Sequence, residues 1–475
     1  MTHAKAEGQS CLPFPTLEAA TACRNFVTAT KRPDNVDSLS PDEVSIRAFD
    51  FHIRVYCVFF PKEKAPQMTR FWIDPGVGIS SRLAEDALEN INSIHEAVEN
   101  DLSLKEDSSP VYQALRGRIA ELVELSPIDP HRKKKVLQED VYLYQTGMAA
   151  IYYVHQYLLK WRNSKTVMFG FPFHSTNHIF EYWGPGLQFL PLGTELDVLE
   201  QFLESEAAAG RPVQAVWTEF PSNPLLVSSD LTRLRTLADR YNFALVVDET
   251  ISGFCNVDLL AVADILVTSL TKAFSGYADV MGGSAVLNPS SSLYSELKSH
   301  FDMNYHNALY SRDAETLLQN NQDYLQRCKV LNDNAAILVE YLQSLTNDPN
   351  SSVTRVYYPS VSPTCSNYDA YKRPATPDFE SGYGCLFSVE FDNLESVIAF
   401  YDNLPLHCGP HLGAHRTLAL PYTKLMYIKE LEKVAEYGLK ETQIRISTGL
   451  EDSKELLAKF RYAVSKADAV KQKVQ

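Results

Sequence analysis

No stretch of this chain reaches the roughly eighteen consecutive apolar residues that a membrane-crossing helix needs, so no membrane association is expected. Met1 to Pro15 is mostly polar and lacks the apolar core of a secretory signal, which points to a cytoplasmic protein. The eight cysteines are scattered, with no C-x-x-C pair and no Cys/His spacing suited to zinc. Neither a disulfide framework nor a metal site is expected, and reduced thiols fit a cytosolic setting. Internal repeats and low-complexity tracts are missing too. Basic charge is in short supply: 44 Lys and Arg stand against 59 Asp and Glu, a net charge of -15. Nucleic-acid phosphates demand a basic face, so that class of partner is excluded. The one basic run, Arg132-Lys133-Lys134-Lys135, reads as a solvated loop.

What is present is an ordinary apolar content, 45%, spread over 475 residues, more than one simple core accommodates. Between residues 111 and 305 strand and helix patterns alternate. Val141 to Tyr144, Val167 to Gly170, Ala215 to Glu219, Ala244 to Asp248 and Asp264 to Thr268 read as strands. The run after Gly147 and Leu231 to Tyr241 read as helices. Such alternation predicts an α/β fold with a mostly parallel sheet covered on both faces. Ligands in such sheets gather beyond the carboxyl ends of the strands. Residues 1–110 are mixed. Arg54 to Phe60 reads as a strand, Ser81 to Asn100 as a helix, and Phe71 to Gly78 as too rich in Gly and Pro for regular structure. From residue 306 the alternation stops. Ala314 to Leu345 reads as one long helix, Asn347 to Tyr383 as mostly loop, and Cys385 to Phe391 as a strand. Three segments are therefore expected: 1–110, 111–305 and a smaller C-terminal unit, 306–475.

Chemistry concentrates at the strand ends. Ser269-Leu270-Thr271-Lys272 closes one buried run and presents a lysine and two hydroxyls to a loop of small residues. An amine held off water loses part of its preference for the charged form and can condense with an aldehyde to a Schiff base. Taken alone, such a lysine is also a common surface residue. Asp248 ends the preceding run, where a carboxylate needs a cationic partner. It could cap a helix or ligate a metal, but a lysine with an aspartate is also the recurring protein contribution to pyridoxal phosphate. Gly147-Met148 lies at a strand-to-helix turn, whose free amides and helix dipole make an anion site.

Asp248, Ser269-Leu270-Thr271-Lys272, Gly276 and Asp279-Val280-Met281-Gly282-Gly283 together resemble the signature of the Cys/Met-metabolism pyridoxal-phosphate enzymes. This is the transsulfuration family of cystathionine synthases, lyases and homoserine sulfhydrylases; within it the chain is most similar to the fungal cystathionine γ-synthases. The resemblance spans roughly residues 45 to 465. It implies an aspartate aminotransferase-like (fold type I) architecture, with a large cofactor domain and a smaller α+β C-terminal domain. It implies pyridoxal 5'-phosphate held on Lys272, with Asp248 at its ring nitrogen. Gly147 and Met148 would cradle the phosphate, with Ser269 and Thr271.

Further roles come from the same resemblance. Phe173 stands where relatives carry a tyrosine stacked on the ring; it keeps the flat apolar face and loses the phenol, which His174 could partly replace. Asn223, in Glu219-Phe220-Pro221-Ser222-Asn223-Pro224, would bond the ring hydroxyl. Arg445, in Arg445-Ile446-Ser447-Thr448-Gly449-Leu450-Glu451, would fork the substrate α-carboxylate. His411 and Thr417 match a substrate-side motif in which His411 replaces a serine. The resemblance also implies that residues 1–110 form an arm reaching into the neighbouring subunit, where relatives supply a Tyr-x-Arg pair to the cofactor phosphate; that pair has no clean counterpart here, and Arg82 is the candidate substitute. The implied reaction is replacement of the γ-substituent of an O-acyl-L-homoserine, O-acetyl in a fungal protein, by cysteine or by a carbon nucleophile such as an enolisable keto acid. A β- or γ-lyase would use the same Lys, Asp and Arg without an acceptor, and a non-catalytic descendant is the remaining class. Small amino acids are the expected partners, in a homodimer or homotetramer with shared sites.

Overall fold

The computed structural model describes residues 7–97 and 109–474. Residues 1–6 of the polar N-terminal stretch and 98–100 of the helix expected from Ser81 lie outside the described residues. The N-terminal part forms a four-stranded antiparallel sheet of β1 (Gln9–Phe14), β2 (Ser45–Asp50), β3 (Arg54–Pro61) and β4 (His95–Glu96), in the order β1-β3-β2-β4. Helix α1 (Leu17–Thr28) is capped by Thr16, whose hydroxyl accepts from the Ala19 amide. Helix α2 (Ala65–Ile73) takes in Phe71, Trp72 and Ile73, which had read as irregular. Pro66 sits in its first turn, where the missing N–H is harmless, and Pro75 and Gly76 come only after its end. Helix α3 (Ser81–Glu89) stops eleven residues short of Asn100, because the chain turns back at Asn90 to pair β4 with β2.

The central layer is a seven-stranded sheet: β5 (Val141–Tyr144), β6 (Thr166–Phe169), β7 (Leu187–Leu190), β8 (Ala215–Glu219), β9 (Ala244–Asp248), β10 (Ile265–Ser269) and β11 (Gly283–Leu287). Their order is β5-β11-β10-β9-β8-β6-β7, with only β11 antiparallel to its neighbours. Helices lie on both faces, among them α4 (Pro110–Val123), α5 (Gly147–Trp161) and α6 (His174–Tyr182). This is the predicted α/β arrangement, and its strands read as near-continuous apolar runs because both faces are covered. One core, with Leu115, Leu234 and Leu317, lies on one side of the sheet. A second joins Phe14, Phe26 and Phe71 to Tyr152 and Phe180, so the N-terminal sheet shares its apolar filling with α5 and α6.

The C-terminal sheet is β12 (Val353–Tyr357), β13 (Leu386–Phe391), β14 (His407–Cys408), β15 (Leu418–Leu420) and β16 (Gln443–Ser447), in the order β12-β13-β16-β15-β14. β12 falls inside the stretch that had read as loop. The expected single helix from Ala314 to Leu345 is two, Ser311–Asn320 and Tyr324–Leu345. Tertiary bonds hold the break: Arg118 Nε donates to Asn321 Oδ1 at 2.7 Å, and Arg327 Nη2 donates to the Asn320 carbonyl at 2.8 Å. In the basic run, Arg132 is not a solvated residue. Its guanidinium is buried between Glu124 at 2.9 Å and Asp258 at 3.0 Å.

Candidate active site

A cavity of about 420 Å³ opens at the carboxyl ends of β8, β9 and β10. Lys272, Asp248, Asn223, Gly147, Met148, Ser269, Thr271, Phe173 and Arg445 all line it. Topology brings them together. β8, β9 and β10 are adjacent parallel strands, with Glu219 opposite Asp248 in register, so each strand delivers its terminal residue to one edge.

Two carboxylates meet there. Burial holds the Glu219 carboxyl well above its ordinary range, and the neighbouring Asp248 raises it further. Glu219 Oε1 accepts the Phe173 amide at 2.6 Å. Burial likewise raises Asp248, against the Thr250 amide that donates to its Oδ1 at 2.9 Å. An acidic pair off water calls for a cation. Burial, and secondarily Arg445, pushes the Lys272 amine down to about 8. The loop after Lys272 is pinned by Arg327, which donates to the Ala273 carbonyl at 2.9 Å and to that of Phe274 at 3.1 Å. Arg327 was missed in the sequence because it lies 55 residues past the motif on another element.

At the other end, α5 begins at the cavity. Thr146 takes the Ala149 amide on its hydroxyl at 2.9 Å and the Ala150 amide on its carbonyl at 3.1 Å. The Gly147 and Met148 amides are thus the first-turn donors that remain for a ligand. Gly147 is required for closeness: a Cβ there would come within 2.6 Å of Ser269 Cβ. Thr271 differs from expectation. Its hydroxyl donates to the Gly282 carbonyl at 3.2 Å and accepts the Gly282 amide at 3.1 Å, which commits its proton within the chain.

Arg445 is buried. Nη1 donates to Asn223 Oδ1 at 3.1 Å, Nη2 donates to the Pro410 carbonyl, and the guanidinium lies 4.2 Å from the Tyr422 ring centroid. Tyr422 carries no motif and went unread. His411 is not among the residues that line the cavity, although Pro410 and Leu412 on either side of it are; its Nδ1 lies 3.4 Å from Lys272 Nζ, so it meets the lysine from behind the wall. Thr417 does not line the cavity. Its amide and hydroxyl each donate to Glu451 at 2.7 Å, tying its loop to the end of the Arg445 strand. His174 also lies off the cavity wall, 5.2 Å from the Tyr427 ring and 4.8 Å from that of His178. Arg82 does not line it either; it pairs with Asp313 at 2.9 Å and donates to the Asp279 carbonyl at 3.1 Å.

The largest omission of sequence reasoning is a second wall. Trp72, Ile73, Gly76, Gly78 and Ile79 line the same cavity from the N-terminal part of the same chain. Thr146 fastens this segment by donating its hydroxyl to the Gly76 carbonyl at 3.0 Å. The resemblance sends this region, as an arm, to a neighbouring subunit; a wall on the cavity of its own chain was not foreseen, because the Gly/Pro-rich composition gives no packing partner.

A family profile described as Cys/Met metabolism PLP-dependent enzyme matches residues 136–465. A second, described as fungal trans-sulfuration enzyme, N-terminal domain, matches residues 1–80. The cystathionine gamma-synthase-like enzyme iboG2 of Amanita muscaria is 35% identical, covering 98% of this chain and 87% of that protein. The alanine racemase ungC of Aspergillus violaceofuscus is 38% identical over 99% of this chain and 86% of its own length. Among solved structures, cystathionine gamma synthase from Xanthomonas oryzae pv. oryzae, in complex with aminoacrylate and cysteine, superposes with a TM-score of 0.61 at 22% identity. That match covers 78% of this chain and 90% of the other, and bears on the fold.

Proposed function

The chain belongs to the Cys/Met-metabolism PLP-dependent enzymes and is cystathionine γ-synthase-like, and from that premise we propose that it exchanges the γ-substituent of an O-acyl-L-homoserine, the O-acetyl ester first, for a nucleophile. The observation that carries this reading is the convergence of Lys272, Asp248 and Arg445 on one 420 Å³ cavity. The residues fit pyridoxal 5'-phosphate. An acidic pair waits for a ring cation, a lysine lines the same cavity, and the Gly147 turn offers amides where a Cβ would collide with Ser269. Lys272 would hold the cofactor, Asp248 its ring nitrogen, Asn223 its ring hydroxyl, and Gly147, Met148 and Ser269 its phosphate, with Phe173 against the ring face. When bound, the cofactor supplies an electron sink for charge developed next to the amino group.

The chain's own groups do the rest. Arg445 holds the donor's α-carboxylate through two N–H bonds. Lys272 Nζ, once free, takes the Cα proton and returns one later; a pKa of about 8 keeps both protonation states populated near neutral pH. Trp72, Ile79, Met148 and Phe173 exclude water from the carbon that exchanges substituents. The acceptor is cysteine or a carbon nucleophile, and the apolar lining suits the latter. The working form is a homodimer or homotetramer in the cytosol; no described helix is long and apolar enough to cross a membrane.

The test is product analysis. Protein loaded with pyridoxal phosphate and fed O-acetyl-L-homoserine should release acetate and join the remaining four-carbon unit to an offered thiol or β-keto acid. Keto acid and ammonia without an acceptor would replace this reading by a lyase. Racemisation of alanine without acetate release would replace it by the activity named for the Aspergillus relative.

A further inference from the structure

The loop that carries His411 is pressed against the lysine. Gly413 has φ +72°, and a Cβ there would lie 2.4 Å from the Ala273 amide nitrogen, so this loop rests on the peptide that follows Lys272. His411 Nδ1 ends 3.4 Å from Lys272 Nζ, and that is the one hydrogen bond the ring makes among the described residues. Nε2 is buried and unpartnered. A buried N–H with no acceptor is a structural liability, and an apolar side chain would fill the place without it. The ring is therefore accounted for by its Nδ1 contact. Burial, then Lys272, then Arg445 push this imidazole down to about 4, so it is neutral at physiological pH. A lysine ammonium only donates; a neutral imidazole accepts through one nitrogen. The shared bond therefore runs from Nζ to Nδ1, and the proton of the ring sits on Nε2. The other charged groups at this cavity are Arg445, Asp248 and Glu219.

We propose that His411 is a positioning residue for Lys272, a neutral hydrogen-bond acceptor that fixes the direction of Nζ while the lysine takes and returns its proton. This rests on the γ-substitution reading for its purpose but not for its geometry. Among the described residues no tyrosine lines the cavity, Phe173 standing there without a phenol, and His174 packs on Tyr427. His411 is the acceptor that touches the amine.

The experiment compares wild type with His411→Asn, which keeps an acceptor oxygen near the Nδ1 position, and His411→Leu, which removes it. In the full-length chain freed of cofactor, the pH dependence of dinitrophenylation at Lys272 is read by peptide mass spectrometry. Wild type and His411→Asn should share a midpoint, and His411→Leu should shift lower by about half a unit, because the ammonium loses its acceptor. In the loaded enzyme His411→Leu should lose about tenfold in kcat with KM little changed, and His411→Asn should recover most of it. If the leucine variant does not fold, His411→Ala serves in its place. Equal labelling midpoints in all three proteins, or an asparagine variant as impaired as the leucine one, overturns the proposal. Absence of acyl release in wild type would sink the γ-substitution reading alone, since labelling needs no substrate.

Discussion

The two walls of the cavity are built differently. Glu219, Asp248 and Ser269 are the last residues of β8, β9 and β10, and Lys272 follows three residues later; each arrives where its own strand points. Trp72 to Ile79 arrives by packing: Phe14 meets Trp72 edge-on at 5.8 Å, Phe26 stacks on Trp183 at 4.8 Å, and Thr146 holds the Gly76 carbonyl. The first wall is polar and carries ionisable groups at an energetic cost. The second is apolar and shapes the space. Chemistry should fail when the first is broken, and retention of the ligand should weaken when the second is.

The sharpest break is Lys272→Ala. Turnover should fall by at least about 10³-fold, and borohydride should no longer fix pyridoxal phosphate to the chain, as mass spectrometry of the reduced protein reports. A variant that still forms the covalent adduct would move the chemistry off this wall. Next is Arg445→Lys. A point charge cannot replace a fork that spans Asn223 Oδ1 and the Pro410 carbonyl, so KM for the amino-acid donor should rise about 30-fold. Steady-state kinetics at fixed cofactor measure this, and an unchanged KM would remove the carboxylate from Arg445.

The same contrast explains what the sequence made legible. Ala244 to Asp248 and the run before Lys272 could be read because a buried parallel strand is a local apolar pattern and its end is a local event. Their convergence was legible too, since parallel strands place their carboxyl ends on one edge. Trp72 was not, because its place depends on Phe14 and on its neighbour Phe71 packing against Tyr152 and Trp183, all far from it in the chain save Phe71. The helix break at Asn321 was hidden for the same reason, being set by Arg118 and Arg327 rather than by propensity. Thr271 and Thr417 were placed at the site by motif, yet their hydroxyls serve Gly282 and Glu451; a motif records the residue and not its partner.

Trp72→Ala tests the second wall. Trp72 is half-buried between Phe14 and the cavity, so its loss removes apolar cover without touching an ionisable group. Retention of the cofactor on dilution should weaken about tenfold, with kcat at saturating cofactor within a factor of about three of wild type. A larger fall in kcat than in retention would show that this wall takes part in the chemistry.

The smallest expected effect separates the walls by pH. Glu249 directly follows Asp248 and is buried; burial raises its carboxyl from 4.5 to about 8, against a lowering by Arg373 and by the Thr268 hydroxyl 3.4 Å away. The folded chain therefore keeps this proton where the unfolded chain has released it. Stability from the group is complete below pH 4.5 and is lost as pH rises through 8. Glu249→Gln mimics the protonated acid, and its amide oxygen still accepts from Thr268. The variant should melt close to wild type at pH 4.5 and be more stable at pH 8.5 by about 2 kcal/mol, a few degrees in Tm for a chain of this size. Calorimetry at the two pH values, with cofactor concentration fixed, measures the difference. Trp72→Ala should instead lower Tm by the same amount at both, because no proton is bound or released on that wall. Parallel melting curves for wild type and Glu249→Gln would mean that the strand-end wall carries its acids ionised, with Arg373 rather than a proton as the compensating charge.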